Sequence, residues 1–174
     1  MTSLDLRQIK NKAAARLLTK YPALLEKWAE NAEILTFSDV PWTPLTAEVG
    51  QCRLALITTG GVRLSSQPPF DMQDPAGDPA FREIPYRTFL GELAITHNYY
   101  DSRDAKKDIN IIFPIQRVVE LKQGGEIKSV NHRHFSFMGH IKDHHIDTLM
   151  QKTAPEVAAA LKEDGVDIVI LTPG

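Results

Sequence analysis

One short apolar run constrains the fold more than any other feature of the chain. Residues 53–59 read Arg-Leu-Ala-Leu-Ile-Thr-Thr and lead directly into Gly60-Gly61. A nearly continuous apolar run of this length is typical of a strand that is covered on both faces. The two glycines indicate a tight loop where the strand ends. We therefore expect a buried parallel strand that runs into a tight loop.

Strand and helix signals alternate along the rest of the chain. Strands are predicted over residues 92–96, 109–113 and 166–171, and helices over residues 114–122 and 153–163. Parallel strands need a covering crossover between them, so this alternation favours an α/β fold with an open, mostly parallel sheet and flanking helices. We expect three layers of the Rossmann or flavodoxin-like kind.

Local signals mark the boundaries between these elements. Thr153-Ala154-Pro155-Glu156 has the form of a capping box, in which the Thr153 and Glu156 side chains satisfy backbone N–H groups at a helix start. Gly165 is expected to end the same helix. Residues 63–85 contain five prolines and several aspartates, which predict that this stretch is mostly loop.

The N-terminal segment has a different character. Residues 4–19 place apolar side chains at helical spacing and predict an amphipathic helix. Pro22 is well placed to begin a second helix, because the first helical position needs no N–H donor. Leu24, Leu25 and Trp28 would form the buried stripe of that helix. Such a pair of helices would form an arm or lid.

Length and charge limit the remaining possibilities. We expect residues 1–38 to form an N-terminal helical arm and residues 39–174 to form one α/β domain. The net charge of −2 comes with scattered basic residues, which argues against nucleic-acid binding. No apolar run approaches the roughly 20 residues of a membrane span, and the first residues lack a signal-peptide pattern. These features favour a cytoplasmic protein with no nucleic-acid or membrane partner.

The single cysteine excludes several kinds of chemistry within these residues. Cys52 cannot form an intramolecular disulfide, a CxxC pair or a cysteine zinc site, because the chain has no second cysteine. It precedes the first predicted strand, which places it at the amino end of the sheet. We interpret Cys52 as a structural thiol.

The most informative candidate site follows the first strand. Thr58-Thr59-Gly60-Gly61 lies where open α/β sheets bind ligands, at the carboxyl end of a strand. Adjacent glycines let backbone N–H groups approach an anion, but the GxGxxG spacing and the Walker lysine are both missing. The motif therefore predicts either an anion site or simply a tight turn.

A polar segment after the second predicted strand raises the question of a metal. His97, Asp101, Asp104 and Asp108 offer ligand types that bind hard or borderline metal ions. No HExxH or similar spacing accompanies them, so we predict no metal. Asp101 and Asp104 can instead serve as the N-cap and first-turn acids of a short helix.

Two histidines are candidates for proton transfer. His97 and His140 can act as general acid or base, because imidazole titrates near neutral pH. A buried, hydrogen-bonded structural histidine is the commoner case. Residues 135–138 alternate in the manner of a strand that packs into a core.

Five stretches of unusual sequence, mostly long loop motifs, occur in order. They read VPWTPL at 40–45, ALITTGGVRLSSQPPFDMQDPAGDP at 55–79, FREIP at 81–85, ITHNYYDSRDAKKDINIIFP at 95–114 and HFSFMGHI at 134–141. The likeness that they carry extends over roughly residues 40–174. Through these five stretches the chain resembles the selenoprotein B family of glycine, sarcosine, betaine and D-proline reductases.

The resemblance implies a reductive cleavage by the B component of such a reductase. A selenocysteine or cysteine attacks an activated amino-acid carbon, and a pyruvoyl group on a partner subunit binds the substrate amine. The family places the nucleophile just beyond a strand similar to residues 166–173, which means after Gly174. We expect the 174 residues alone to be inactive and to hold no cofactor. We hypothesise that the codon after Gly174 is UGA and that it is read as selenocysteine in the source organism.

The site implied by this resemblance takes in the glycine loop and the segment from His97 to Asp104. His97 and His140 would assist as acid or base, and the substrate would be a small amino-acid-type molecule. The predicted substrate- or anion-binding residues are Thr58, Thr59, Gly60, Gly61, Tyr99, Asp101, Asp104, Ser136 and Gly139.

Two other functions stay open. The same loops fit a non-catalytic domain that binds another subunit. The histidine and aspartates of residues 97–108 also fit a metal-dependent hydrolase. A final strand without a covering helix is compatible with a homodimer under the reductase or the subunit-binding interpretation.

Overall fold

The computed structural model describes residues 3–30 and 43–173. Contacts divide the chain into two compact units. The first comprises Met1–Thr46 and Asn98–Asp101, and the second comprises Ala47–His97 and Ser102–Gly174. The predicted domain boundary at residues 38 and 39 falls outside the described residues.

The first unit contains two helices, as predicted. Helix α1 spans Ser3–Lys20, and helix α2 begins at Pro22 and spans Pro22–Ala29. The predicted burial of Leu24 and Leu25 is wrong, because these side chains are 44% and 45% exposed. Two helices cover each other along only one narrow stripe, so an apolar pattern alone does not ensure burial. The side chain of Trp28 lies outside the described residues.

The second unit carries the strands and the remaining helices. Within the described residues, the strands are β1 (Arg53–Thr58), β2 (Val62–Leu64), β3 (Arg82–Pro85), β4 (Leu93–Ile95), β5 (Ser129–Val130), β6 (Arg133–Ser136) and β7 (Ile168–Thr172). The helices are α3 (Ile115–Gln123), α4 (His144–Thr148) and α5 (Ala154–Glu163), with a π-helical turn at Leu149–Thr153 and 3₁₀ turns at Val49–Gln51, Leu90–Glu92 and Ile109–Ile111.

Strand β1 occupies the centre of the main sheet. It pairs in parallel with β7 along one edge, in a register that joins Leu54 to Ile168 and Thr58 to Thr172. Strands β5 and β6 share its other edge, also in parallel. Strand β3 adds to β6 in antiparallel orientation. The predicted α/β fold with a mostly parallel sheet and flanking helices is therefore confirmed.

Apolar side chains cover both faces of this sheet. On one face Ala55 and Phe135 pack with Val157 and Leu161 of α5. On the other face, the ring of Phe113, just before α3, packs edge-on against His134 at 5.9 Å. Burial of a large apolar side chain contributes about 1.5–3 kcal/mol, so these two layers hold the central strands in place.

Two local predictions differ from the structure. Residues 109–113 were expected as a strand but begin with the 3₁₀ turn, because the Asp108 carboxylate accepts a hydrogen bond from the N–H of Asn110 at 3.0 Å and caps the turn. Residues 92–96 do contain β4, but this strand pairs with β2 in a separate two-stranded sheet.

The predicted capping box at Thr153 is also wrong. Thr153 has helical φ and ψ values of −72° and −37°, and its side chain makes no capping hydrogen bond. The helical path already runs from α4 through the π-helical turn into α5, so the N–H groups there have acceptors in the preceding turns. The Thr153 hydroxyl is buried, with no partner among the described residues.

His134 is a neutral histidine within the core. The N–H of Leu56 donates to its Nδ1 at 3.0 Å, so the ring proton lies on Nε2, which is buried without a partner among the described residues. Burial lowers the pKa of His134 to about 4, from an ordinary value of 6.5. The unfolded chain therefore binds a proton at mildly acidic pH that the folded chain does not bind.

This pKa difference predicts acid sensitivity. Between about pH 6.5 and pH 4 the unfolded state binds more protons, so the free energy of unfolding falls as the pH falls. We expect His134 to account for a loss of about 2 kcal/mol between about pH 7.5 and pH 5. The variant His134→Asn keeps an acceptor but cannot titrate, so its urea-derived stability should depend less on pH. Parallel pH profiles for the two proteins would contradict this account.

Candidate functional site

Hydroxyl groups hold the carboxyl end of β1 in place. The Thr58 hydroxyl donates to the carbonyl oxygen of Ile112 at 2.7 Å and accepts from the N–H of Gly60 at 3.0 Å. The Thr172 hydroxyl, at the end of β7, donates to the same Ile112 carbonyl at 2.6 Å. One carbonyl thus ties together the ends of two neighbouring parallel strands.

The glycine loop is closely packed by backbone. Gly61 has a φ of 68° and donates its N–H to the carbonyl oxygen of Phe137 at 2.9 Å. A Cβ at this position would overlap the carbonyl oxygen of Thr96, so the loop requires glycine here. The N–H groups of Gly60 and Gly61 already donate within the fold, and an anion would have to replace one of these bonds.

The end of β6 lies against the same loop. Ser136 is fully buried and pairs with Thr58 across the parallel strands. Gly139 has a φ of 83°, and a Cβ there would lie 2.6 Å from the carbonyl oxygen of Thr59. The structure therefore brings Ser136 and Gly139 next to the threonine and glycine motif, although they are distant in sequence.

Both candidate histidines also belong to this edge of the sheet. Burial and, to a smaller extent, the nearby His140 lower the pKa of His97 to about 4, although hydrogen bonding to the backbone of Met138 favours the protonated form. His140 donates from Nε2 to the carbonyl oxygen of Pro75 at 2.9 Å, because that oxygen can only accept. Burial also lowers the pKa of His140.

These shifts determine what the two imidazoles can do. The neutral form of both imidazoles is favoured at pH 7, since each pKa lies below its ordinary value of 6.5. In neutral His140 the proton lies on Nε2 and the lone pair on Nδ1. A neutral imidazole can accept a proton or orient a polar substrate beside the glycine loop.

Three further residues were predicted for the site, namely Asp104, Tyr99 and Asp101. Asp104 is exposed in a turn and forms an ion pair with Lys107 at 2.7 Å, so its predicted role in the first turn of a helix is wrong. Asp104 also accepts backbone bonds from the N–H groups of Lys107 and Asp108, which close the turn instead. Tyr99 and Asp101 belong to Asn98–Asp101, in the first unit.

Cys52 has the structural character that its position predicted. The residue is fully buried, and its thiol donates to the carbonyl oxygen of Glu48 at 3.3 Å. Burial raises the pKa of this thiol above its ordinary value, which suppresses the reactive thiolate. Cys52 therefore has none of the features of a redox nucleophile.

A separate cleft opens beside β4. It has a volume of about 490 Å³ and is lined by aliphatic residues of β4 together with Lys106, Lys107 and Asp108. Its lining includes none of the threonines, glycines or histidines of the candidate site. The threonines, glycines and histidines of the candidate site therefore lie outside this cleft.

Sequence reasoning passed over Thr172 as a site residue. It ends β7 immediately before Pro173 and mirrors Thr58, its partner in the register. A threonine that ends an apolar strand next to proline is the sequence signal that could have pointed to it. Its backbone carbonyl also accepts from the N–H of Thr59 at 2.9 Å.

Comparison with known proteins identifies the family. A profile described as glycine/sarcosine/betaine reductase selenoprotein B matches residues 8–174. The D-proline reductase subunit gamma of Acetoanaerobium sticklandii is 38% identical over 133 residues, which are 76% of this chain and 53% of the relative. The match thus spans about half the length of that relative. No solved structure matches the chain significantly.

The profile match extends beyond the residues that carried the resemblance. It begins within α1, whereas the resembling stretches begin near residue 40. Among the described residues, no helix has the length and apolar character needed to cross a membrane. Because the profile covers nearly the whole sequence and the relative is well above 30% identical, the chain belongs to the glycine/sarcosine/betaine reductase selenoprotein B family.

Proposed function

We propose that this chain supplies part of the B component of a reductase that cleaves a small amino-acid-type substrate. Family membership over residues 8–174 carries this proposal. The nucleophile is a selenocysteine or cysteine in polypeptide that follows β7.

The path of β7 supports this placement of the nucleophile. Thr172 ends the strand, and its carbonyl accepts from the N–H of Thr59. Polypeptide that continues past Pro173 therefore starts beside the threonine and glycine motif. Ligands of open α/β sheets bind at this carboxyl edge, so a redox residue there would meet a substrate bound to the same loops.

The neighbouring residues would then have two different roles, proton transfer and substrate binding. His97 and His140, whose neutral forms are favoured at pH 7, would accept or relay a proton near the nucleophile. Thr59 and Gly139, which are exposed at this edge, would contact the substrate. A thiolate or selenolate suits the reaction because it is soft, nucleophilic and afterwards reducible by a dithiol.

A partner subunit completes the proposed site. The proposed reaction needs an electrophile that binds the substrate amine, and a pyruvoyl group on a partner subunit would fill that role. The relative from Acetoanaerobium sticklandii is named as subunit gamma of a reductase. Accordingly, we place this chain in a multi-subunit reductase.

Exposed apolar residues favour a second candidate function, that of a subunit-binding domain without catalysis. Leu171 of β7 is 71% exposed, and Val169 on the same face is also exposed. Among the described residues, β7 pairs only with β1. An unpaired edge with exposed leucine suits contact with another chain.

One experiment separates the two functions. The native protein is isolated from its source cells, its intact mass and selenium content are measured, and the reduced protein is alkylated with iodoacetamide. We expect a product longer than 174 residues, labelled at a selenocysteine or cysteine in the peptide after Pro173. Buried Cys52 serves as the internal control and should stay unlabelled until the protein is unfolded.

Substrate protection adds a second readout. Glycine, sarcosine, betaine or D-proline, added with the co-purified subunits, should slow alkylation of the residue after β7. A native chain without any reactive selenocysteine or cysteine after β7 would overturn the reductase proposal. That outcome would favour the subunit-binding function.

A further inference from the structure

Two distant segments are joined by backbone contacts near His140. The N–H of Lys142 donates to the carbonyl oxygen of Ala76 at 2.8 Å, and Gly77 forms an antiparallel bridge with Ile141. Gly77 has a φ of 96°, and a Cβ there would overlap the carbonyl oxygen of His140. The loop around residues 74–77 is thus held firmly against residues 140–142.

This junction brings three potential metal ligands together. One ligand atom from each of Asp74, His144 and His145 lies within 4.8 Å of the other two. The Nε2 of His145 lies 3.0 Å from Oδ2 of Asp74, and the centroids of the two imidazole rings are 4.0 Å apart. Among the described residues, this is the group in which three such side chains converge.

The carboxylate is oriented by a hydrogen bond of its own. Oδ1 of Asp74 accepts from the N–H of Ala76 at 2.8 Å, which leaves Oδ2 directed towards His145. A hydrogen bond that fixes a ligand in this way is typical of metal centres, because outer partners orient the coordinating groups. Asp74 and His145 are partly buried, with side chains 33% and 18% exposed, whereas His144 is open to solvent.

We propose that Asp74, His144 and His145 bind a borderline divalent transition-metal ion such as Zn²⁺. Two imidazole nitrogens and one carboxylate oxygen match the preferences of Zn²⁺ and Co²⁺, whereas Mg²⁺ and Ca²⁺ prefer sites made of oxygen ligands. Tetrahedral ligands at about 2.0–2.1 Å from the metal lie about 3.3 Å apart. The three ligand atoms now lie within 4.8 Å of one another, so binding requires the side chains to move closer together, and the exposed His144 ring is the one with room to move.

A simple ion pair does not account for the whole arrangement. The contact between Asp74 and His145 explains two of the three side chains, but it gives no role to the ring of His144 at 4.0 Å. A shared metal gives all three a common partner. It would also link the loop of residues 74–77 to α4, and it leaves at least one coordination position for water or a small ligand on the solvent side.

The metal site is independent of the proposed reductase function. Asp74 is followed by Pro75, whose carbonyl oxygen accepts from His140. A metal at Asp74 would therefore stiffen the segment that holds a candidate site histidine. The ion itself is not assigned a part in the reductive cleavage.

Titration with Co²⁺ tests the proposal on the full chain without an affinity tag. Co²⁺ reports its coordination through visible absorption, and Zn²⁺ should displace it. The variants Asp74→Asn, His144→Gln and His145→Gln each remove one ligand. His132→Gln is the matched control, since it removes an imidazole with a 65% exposed side chain that lies 3.9 Å from the carboxylate of Asp164.

We expect the parent chain and His132→Gln to bind one Co²⁺ with the same affinity. Each ligand variant should bind at least about tenfold more weakly. Zn²⁺ should also raise the melting temperature of the parent chain, and His145→Gln should lose that rise.

Equal Co²⁺ affinity in the parent chain and all three ligand variants would overturn the site, as would the absence of binding by the parent chain. Circular dichroism checks that each variant is folded. If a substitution of the more buried Asp74 or His145 unfolds the protein, His144→Gln decides the question, because that side chain is exposed.

Discussion

Replacing Gly61 by alanine is expected to lower the free energy of unfolding by at least about 3 kcal/mol. Gly61 has a φ of 68°, which costs a residue with a Cβ about 1–2 kcal/mol. The added Cβ would also overlap the carbonyl oxygen of Thr96, which is backbone and cannot rotate away. Urea unfolding of the purified variant measures the loss.

Two further glycine substitutions separate these causes. Gly125 has a φ of 78° but open space around its Cβ position, so Gly125→Ala should cost only about 1–2 kcal/mol. Gly91 lacks both features, and Gly91→Ala should change stability by less than about 0.5 kcal/mol. Equal losses at Gly61 and Gly125 would contradict the overlap with Thr96.

The same substitution bears on the candidate site. The N–H of Gly61 donates to Phe137, and its carbonyl oxygen accepts from the N–H of Thr96 at 2.8 Å. Displacing Gly61 would therefore shift Thr96, and with it His97, the residue that follows Thr96, relative to the end of β6. We expect any Gly61→Ala protein that still folds to lose the low pKa of His97, which NMR titration of the imidazole would detect.

Replacing Asp164 by alanine is expected to cost about 3 kcal/mol. Its carboxylate has a side-chain exposure of 5% and accepts from Arg133 through Nε at 2.8 Å and Nη2 at 2.9 Å. It also accepts from Nδ2 of Asn131 at 2.8 Å. Alanine would remove the bidentate acceptor of the partly buried Arg133 guanidinium, which keeps its longer contacts with Glu83 and Glu163. The Asn131 amide would also lose one of its two acceptors and keep the carbonyl oxygen of Arg133.

Glu163 provides a matched control for this experiment. It is adjacent in sequence, carries the same charge and lies 3.6 Å from Arg133, but its side chain is 81% exposed. Water screens an exposed ion pair, so Glu163→Ala should change stability by less than about 1 kcal/mol. Similar losses for the two variants, measured by urea unfolding, would show that charge alone and not buried hydrogen bonding stabilises this junction.

Several elements were predictable because their signals are local. The apolar run of residues 53–59 indicated a buried strand, and it became the centre of the sheet. Pro22 marked the start of α2, and the apolar residues before Thr172 marked the last strand. In each case the apolar spacing or the missing N–H of proline acts within a few residues.

Other predictions failed where distant contacts override a local pattern. The capping box at Thr153 had the correct residues, but the preceding π-helical turn supplied the backbone partners instead. The residues at 109–113 were apolar enough for a strand, yet the Asp108 side chain closed a 3₁₀ turn there. Leu24 and Leu25 followed a helical stripe that the structure leaves about half exposed.

The sequence by itself determined the fold class, the family and the position of the threonine and glycine motif, because strand periodicity, proline and glycine act locally. Only the tertiary structure decided which side chains meet. Asp74 and His145 lie 71 residues apart, and Leu56 reaches the ring of His134 across 78 residues. No local spacing encodes these contacts, since strand pairing and loop docking bring the residues together.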